Sequence, residues 1–519
     1  MRKFAFAVAA FAVVLSAAEW LLGMYLADGA FTYPLDDAYI HLAIARNIAE
    51  NGTWGIEKGV PVFASSSPLW TLLLALSIKV VGCREWLPFV FSYIFSFCVP
   101  IMAFRLWGKA GLPPHRALAA GIVLVFVMPI TTLANLGMEH ALHVFCISWF
   151  LCLAWTALEA NGVSRGTFAA LVASAILAAG ARYESLFVIT PVAVLMLWRR
   201  RVAAGLAVMV AQFVPVVLMG LYAVHESRPF LPVSLLLKAN VGAGSIVEGI
   251  FSLYCGIAPE SIHFHLTVLL LLTAVLLPRT PVVVRALSFA LVVAVCGHGV
   301  FAQLGWLYRY EVYLLALAFT ILPLAVLERD RDGSDFLRRY AWLLLVLGLA
   351  CPFAVRSFKA QFDTVLAQRE INAQQKQMGR VFATLPSQQR GAIALTDLGC
   401  VAFYSGVHIL DLWGLGSPEV AEIIRSGRSP SGGYGDLFAH NEVRYFAFYD
   451  GWCDMSKVSD DARVVASLTL RHKPVICAGG RVLLGVMHSS DAPAFAAHIR
   501  NIAPTMPSEC ELTVLEDCK

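Results

Sequence analysis

An apolar run from Phe4 to Leu26 follows Met1-Arg2-Lys3, and similar runs recur along the chain as far as residue 355. About 20 such residues cross the hydrocarbon core of a bilayer as a helix, which satisfies its own backbone N–H and C=O groups where no water can. That requirement fixes the class. The chain is 59% hydrophobic and 14% charged, with a mean hydropathy of +0.71, against about 45–50% and about 25% in soluble domains. A water-soluble fold is excluded.

The further runs read as 88 to 106, 117 to 133, 141 to 157, 166 to 181, 185 to 198, 203 to 223, 264 to 278, 284 to 303, 310 to 327 and 340 to 355. With the first run this predicts eleven spans. The first also fits a cleaved signal peptide cut after Ser16-Ala17-Ala18, but it continues past that point to full span length and reads as an anchor. Pro68 to Val81 is too short for a span and reads as an interfacial or re-entrant helix.

Charge supports this count. If Pro68 to Val81 does not cross, the loops carrying Arg105, Lys109 and Arg116, then Arg199 to Arg201, then Arg279 and Arg285, then Arg329, Arg331, Arg338 and Arg339 share the side of Arg2 and Lys3. This is the positive-inside pattern. The net charge of +4 is therefore an orientation signal and not a nucleic-acid footprint. The expectation is a multi-pass protein of the cell inner (plasma) membrane, with a cytoplasmic N-terminus. The loop 27–87, the turns near Gly137, Arg182, Lys238 and Arg309, and residues 356–519 then face outward.

Residues 356–519 lose the membrane character. Gln361 to Gln377 is polar and helix-compatible, and Gly391 to Leu395 and His408 to Leu412 look like strands flanking a helical turn. The predicted organisation is a transmembrane domain over 1–355 and an extracytoplasmic α/β domain over 356–519. Twelve cysteines show no zinc-ligand spacing. Cys400, Cys453, Cys477, Cys510 and Cys518 lie in the outer region, and Cys510 with Cys518 is one conceivable pair.

The first external loop holds Tyr33-Pro34-Leu35-Asp36-Asp37-Ala38-Tyr39-Ile40, followed by apolar residues at helical spacing. One aspartate suffices for an N-cap. Two adjacent carboxylates exceed that need, and near low dielectric one gains basicity suited to deprotonating a hydroxyl. Four more polar groups fall at outward span ends: Gly137-Met138-Glu139-His140, Arg182-Tyr183-Glu184, Pro232 to Lys238, and Arg309-Tyr310-Glu311. Singly these read as snorkelling or paired charges. Together they suggest one polar cavity at the outer leaflet.

The sequence resembles the GT-C-type glycosyltransferases, in particular the branch with the mycobacterial terminal arabinofuranosyltransferase. The residues concerned are Asp36-Asp37-Ala38-Tyr39-Ile40 with Arg46 and Asn47, Asn51 to Gly55, Ser67-Pro68-Leu69-Trp70, Gly137-Met138-Glu139, Pro232 to Lys238, Arg309-Tyr310, and Asp411-Leu412-Trp413-Gly414-Leu415. The resemblance implies transfer of a sugar from a polyprenyl-phosphate donor to a cell-envelope glycan or glycolipid hydroxyl on the external face. It implies Asp36 as the catalytic carboxylate with Asp37 positioning the helix or acceptor, and Lys238, Arg309 and Arg182 on the donor phosphate. Tyr39, His41, Trp70, Glu139, His140, Glu184 and Tyr310 are the expected substrate contacts. Fixed cations supply the charge stabilisation, so no cofactor is required, although a divalent cation is compatible. The sequence departs from that branch at Glu139-His140 and at Leu231-Pro232-Val233-Ser234, which leaves the donor sugar open. A transporter would place its charges nearer the midplane, often with repeat symmetry; a non-catalytic glycan-binding scaffold would need Asp36 only as a cap.

Overall fold

The computed structural model describes residues 1–159, 163–232, 270, 281–302, 306–326, 336–426, 434–452 and 459–515. Among them, five helices are long and apolar enough to cross a membrane: Arg2–Leu26, Leu87–Lys109, His140–Glu159, Val202–His225 and Val282–Phe301. Shorter apolar helices occupy Pro68–Val81, Pro114–Val127, Arg165–Ala181, Tyr183–Trp198 and Val312–Ala325. The expected span 264–278 lies outside the described residues apart from Leu270.

These helices are apolar nearly all round, as lipid requires. On Pro68–Val81, Trp70, Leu74 and Ile78 face the protein, whereas Leu76 and Val80 are exposed. Its 14 residues cover only about 21 Å at 1.5 Å per residue. The last apolar segment departs from the expected boundary at 355: a single helix runs from Phe336 to Ala373. The polar lead-in simply continues the helix, because a helix can leave the bilayer without breaking when its exposed face turns polar.

Beyond it lies a six-stranded sheet of order β2-β1-β3-β5-β4-β6. Its strands are β1 Ala392–Leu395, β2 Ile409–Asp411, β3 Val443–Tyr449, β4 Arg463–Leu470, β5 Arg481–Val486 and β6 Cys510–Val514. β1 pairs in parallel with β2 and β3, and the other pairings are antiparallel. β1 and β2 are buried on both faces, which matches the unbroken apolar sequence of β1; β2 ends on the buried Asp411. Among the described residues, Cys400, Cys477 and Cys510 carry free thiols; Cys453 and Cys518, and with Cys518 the suggested pair to Cys510, lie outside the described residues.

Helix Asp37–Asn51 joins the two parts. Ala38, Tyr39, Leu42 and Ala45 pack with the membrane helices, and Ile40, Ala43 and Ile44 pack with the sheet residues. Arg46 donates to Phe403 O at 2.8 Å and lies 5.2 Å from the Phe403 ring. Asn47 ties down the following turn through Gly55 O at 3.0 Å. The segment around this helix is thus held from both sides.

Candidate active site

A small cavity, ≈ 30 Å³, opens beside this helix. Asp37, Ile40 and His41 line it from the helix, and Ala64, Ser65 and Ser66 from the loop before Pro68–Val81. Met138, Glu139, His140, Arg182, Arg309 and Tyr310 come from the span ends, and Leu415 from the turn after β2. Residues up to 378 positions apart in sequence therefore share one space.

Arg309 is its central cation. It is 2% exposed and ion-paired to Asp37, whose side chain is 30% exposed. Its Nη2 donates to Tyr310 Oη at 2.9 Å, and its guanidinium lies 4.9 Å from the Tyr310 ring centroid. Arg182 lies 5.5 Å from the same ring, so two guanidinium groups approach one aromatic face system whose π quadrupole favours cations. Arg309 follows a left-handed turn in which Trp306, Leu307 and Tyr308 all have φ between 49° and 60°. Such backbone costs about 1–2 kcal/mol per residue, and strain of this kind gathers at functional sites.

Arg182 is committed differently. It is ion-paired to both Glu139 and Glu184, and its Nη1 donates to His140 Nε2 at 3.0 Å. Glu139 Oε2 lies 3.3 Å from His41 Nε2. Burial would raise the Glu139 carboxyl, but His140, His41 and Arg182 outweigh it and hold the group well below the ordinary carboxylate range. Arg309 Nε, Arg182 Nε and His140 Nδ1 are buried with no hydrogen-bond partner among the described residues, so the site retains donor capacity that a ligand can use.

The two adjacent aspartates have separate environments. Asp37 lines the cavity; Asp36 does not. The Asp36 carboxylate accepts from Gly399 N at 2.5 Å and Cys400 N at 2.7 Å, capping helix Gly399–Ser405 below the sheet. Consecutive residues on a helix differ by about 100° in direction, so only one of the pair can face the cavity. Gly399 is required there: a Cβ would stand 2.1 Å from Asp36 O.

The other expected ligands divide likewise. His41, Glu139, His140 and Tyr310 line the cavity. Tyr39 instead donates to Glu85 Oε1 at 2.7 Å. Trp70 is fully buried one turn into its helix, 6.3 Å from the Phe91 ring, and Glu184 reaches the cavity only through Arg182. Lys238 lies outside the described residues. Ser65, within 3.4 Å of His41 Nδ1, and Leu415 were not anticipated; neither residue type advertises a site in sequence.

Surroundings alter the junction acids. Burial, then the nearby Asp397 charge, push the Asp36 carboxyl up to about 7 against the two backbone donors. Burial also raises Asp397, and takes Asp411 to about 7. A carboxyl raised on folding keeps its proton where the unfolded chain has lost it, so stability falls as pH rises. This contribution is complete below about 3.8 and is lost as pH rises through about 7. The thermal midpoint of the detergent-solubilised protein is expected to decline between pH 4 and 7, with Asp36→Asn making that decline shallower. A midpoint that rises over this interval in both proteins would contradict the assignment.

A family described as a domain of unknown function (DUF8728) matches residues 366–485. By sequence, no curated protein matches the chain. By structure, the chain is similar to ArnT from Cupriavidus metallidurans, solved bound to undecaprenyl phosphate, with a TM-score of 0.52 and 14% identity over 91% of this chain and 97% of that one. Arabinofuranosyltransferase AftD from mycobacteria aligns with a TM-score of 0.47 and 12% identity, over 92% of this chain and 41% of that one. The oligosaccharyltransferase of Archaeoglobus fulgidus, solved with zinc and sulfate, aligns with a TM-score of 0.44 and 12% identity, over 98% and 75%. The likeness to ArnT is one of fold.

Proposed function

From that fold, we propose that the chain is a membrane glycosyltransferase that moves a sugar from a polyprenyl-phosphate donor to a glycan or glycolipid hydroxyl at the external face. The observation that carries this reading is the contact between Asp37 and Arg309 inside one cavity at the helix ends. A carboxylate able to take a hydroxyl proton stands beside a cation able to hold a leaving phosphate. The undecaprenyl phosphate in the ArnT structure supports the kind of donor.

In this mechanism the donor phosphate competes with Asp37 for Arg309, as guanidinium groups bind phosphate and carboxylate alike. Asp37, released, accepts the proton of the acceptor hydroxyl while its oxygen attacks the anomeric carbon. The bond from that carbon to the phosphate oxygen breaks, and polyprenyl phosphate leaves with the bonding electrons. Two arginines, Arg182 and Arg309, face three carboxylates, Asp37, Glu139 and Glu184. An anionic donor therefore needs more positive charge, and Lys238 supplies it in this reading without a metal ion. The eleven-span topology, with residues after the last span outside the inner membrane, completes it.

The test is transfer itself. Mass spectrometry of envelope glycans from cells with and without the gene identifies the residue lost, and purified protein with the matching polyprenyl-phosphate sugar should then restore it in the presence of EDTA. Unchanged glycans would count against the transferase. Transfer that stops with EDTA and returns with Mn²⁺ would move the role of Lys238 to a metal ion. A transporter is not favoured, since the charges gather at span ends around one cavity.

A further inference from the structure

Two tryptophans stand out at one corner of the C-terminal sheet, Trp413 53% exposed and Trp452 45% exposed. Their rings meet edge to face, with centroids 5.0 Å apart and planes at 83°; Tyr449 braces Trp452 at 5.3 Å. Each is carried on a built turn. The buried Asp411 carboxylate accepts from Trp413 N at 3.0 Å and Gly416 N at 2.7 Å, while Ser417 Oγ accepts from Asp411 N at 2.9 Å. Trp452 N donates to Tyr449 O at 3.1 Å, across a turn in which Gly451 has φ of 83°. That conformation favours glycine. Large apolar rings held in water by rigid turns mark an interaction surface.

The corner adjoins the cavity. Leu415, which lines the cavity, is two residues from Trp413, and two Cα steps span at most about 7 Å. Beside Trp452, Asp450 and Arg481 form a half-exposed ion pair at 3.3 Å, with hydrogen-bonding capacity left on both partners. A sugar ring matches this combination. Its C–H face is weakly positive and meets the negative face of an indole, and its edge carries hydroxyls for a carboxylate and a guanidinium.

We propose that Trp413 and Trp452 form a carbohydrate platform that seats a ring of the acceptor glycan next to the residue whose hydroxyl reacts. This rests on the transferase reading above. The perpendicular planes accept one ring on each indole face, so the platform selects an acceptor of at least two sugar units. Tryptophan also favours the headgroup region of a bilayer, but the rigid turns, the ion pair and the continuity with the cavity favour a glycan.

Full-length protein in lipid nanodiscs is to be titrated with three tetrasaccharides, α-1,5-arabinofuranosyl, α-1,6-mannosyl and β-1,4-glucosyl, and followed by saturation-transfer difference NMR. At least one should bind, and the double variant Trp413→Ala/Trp452→Ala should lose at least tenfold in affinity. Trp413→Phe/Trp452→Phe, which keeps flat faces, should recover most of it, separating a lost platform from a misfolded domain. Binding of none of the three, or equal binding by the alanine variant, would overturn the proposal. So would brominated lipids quenching wild-type fluorescence more than that of the alanine variant, which would make the pair a membrane anchor. Because the readout is binding, absence of turnover in the transfer assay would sink the transferase reading separately.

Discussion

Asp37→Asn is expected to lower sugar transfer by about 10²–10⁴-fold, the range of a positioned general base, while the protein still accumulates in the membrane. The amide keeps the shape of the side chain and one oxygen for Arg309, but it cannot take a proton. Asp36→Asn is expected to behave differently. It removes one of the two oxygens that accept from Gly399 N and Cys400 N, leaving a buried N–H unpaired at a cost of about 1–3 kcal/mol, so its main effect is a lower thermal midpoint. Initial rates of both variants with the donor identified by glycan analysis, measured beside their thermal unfolding, separate the two. Loss of turnover in Asp36→Asn with an unchanged midpoint, and normal turnover in Asp37→Asn, would reverse the assignment.

Arg182→Ala is expected to give the largest loss of stability, about 3–5 kcal/mol, because it leaves Glu139 and Glu184 buried without their cation. Detergent-solubilised protein should show a markedly lower thermal midpoint or a large fall in yield. Arg182→Lys should rescue little, since a single ammonium cannot reproduce a fork that serves two carboxylates and His140. Expectation from sequence placed Arg182 on the donor phosphate. Its ion pairs to Glu139 and Glu184 favour a role in holding the cavity wall, and a fully stable Arg182→Ala protein that had lost only donor affinity would favour the phosphate role.

What sequence determines here is local or periodic. Hydropathy over windows of about 20 residues marks the apolar helices, because lipid leaves no other way to satisfy a backbone. Ionisable residues at the ends of those runs, such as Glu139, His140, Arg182 and Arg309, are conspicuous in the sequence for the same reason. The strand, helix and strand over residues 391–412 were likewise readable from the chain. The helix-compatible stretch Gln361 to Gln377 was readable too, but not that it is one helix with the last apolar segment, running from Phe336 to Ala373.

The adjacent pair Asp36-Asp37 shows where such reading stops. Both are acidic, both precede the same helix, and nothing in the chain ranks one above the other. Tertiary structure separates them, because a turn of about 100° sends Asp37 to Arg309 and leaves Asp36 to meet the N–H groups of Gly399 and Cys400. Those partners lie 272 and 363 or 364 positions away. Sequence determined that two carboxylates would stand side by side at the start of this helix; only the packing of helix Gly399–Ser405 against it decided which of them faces the cavity.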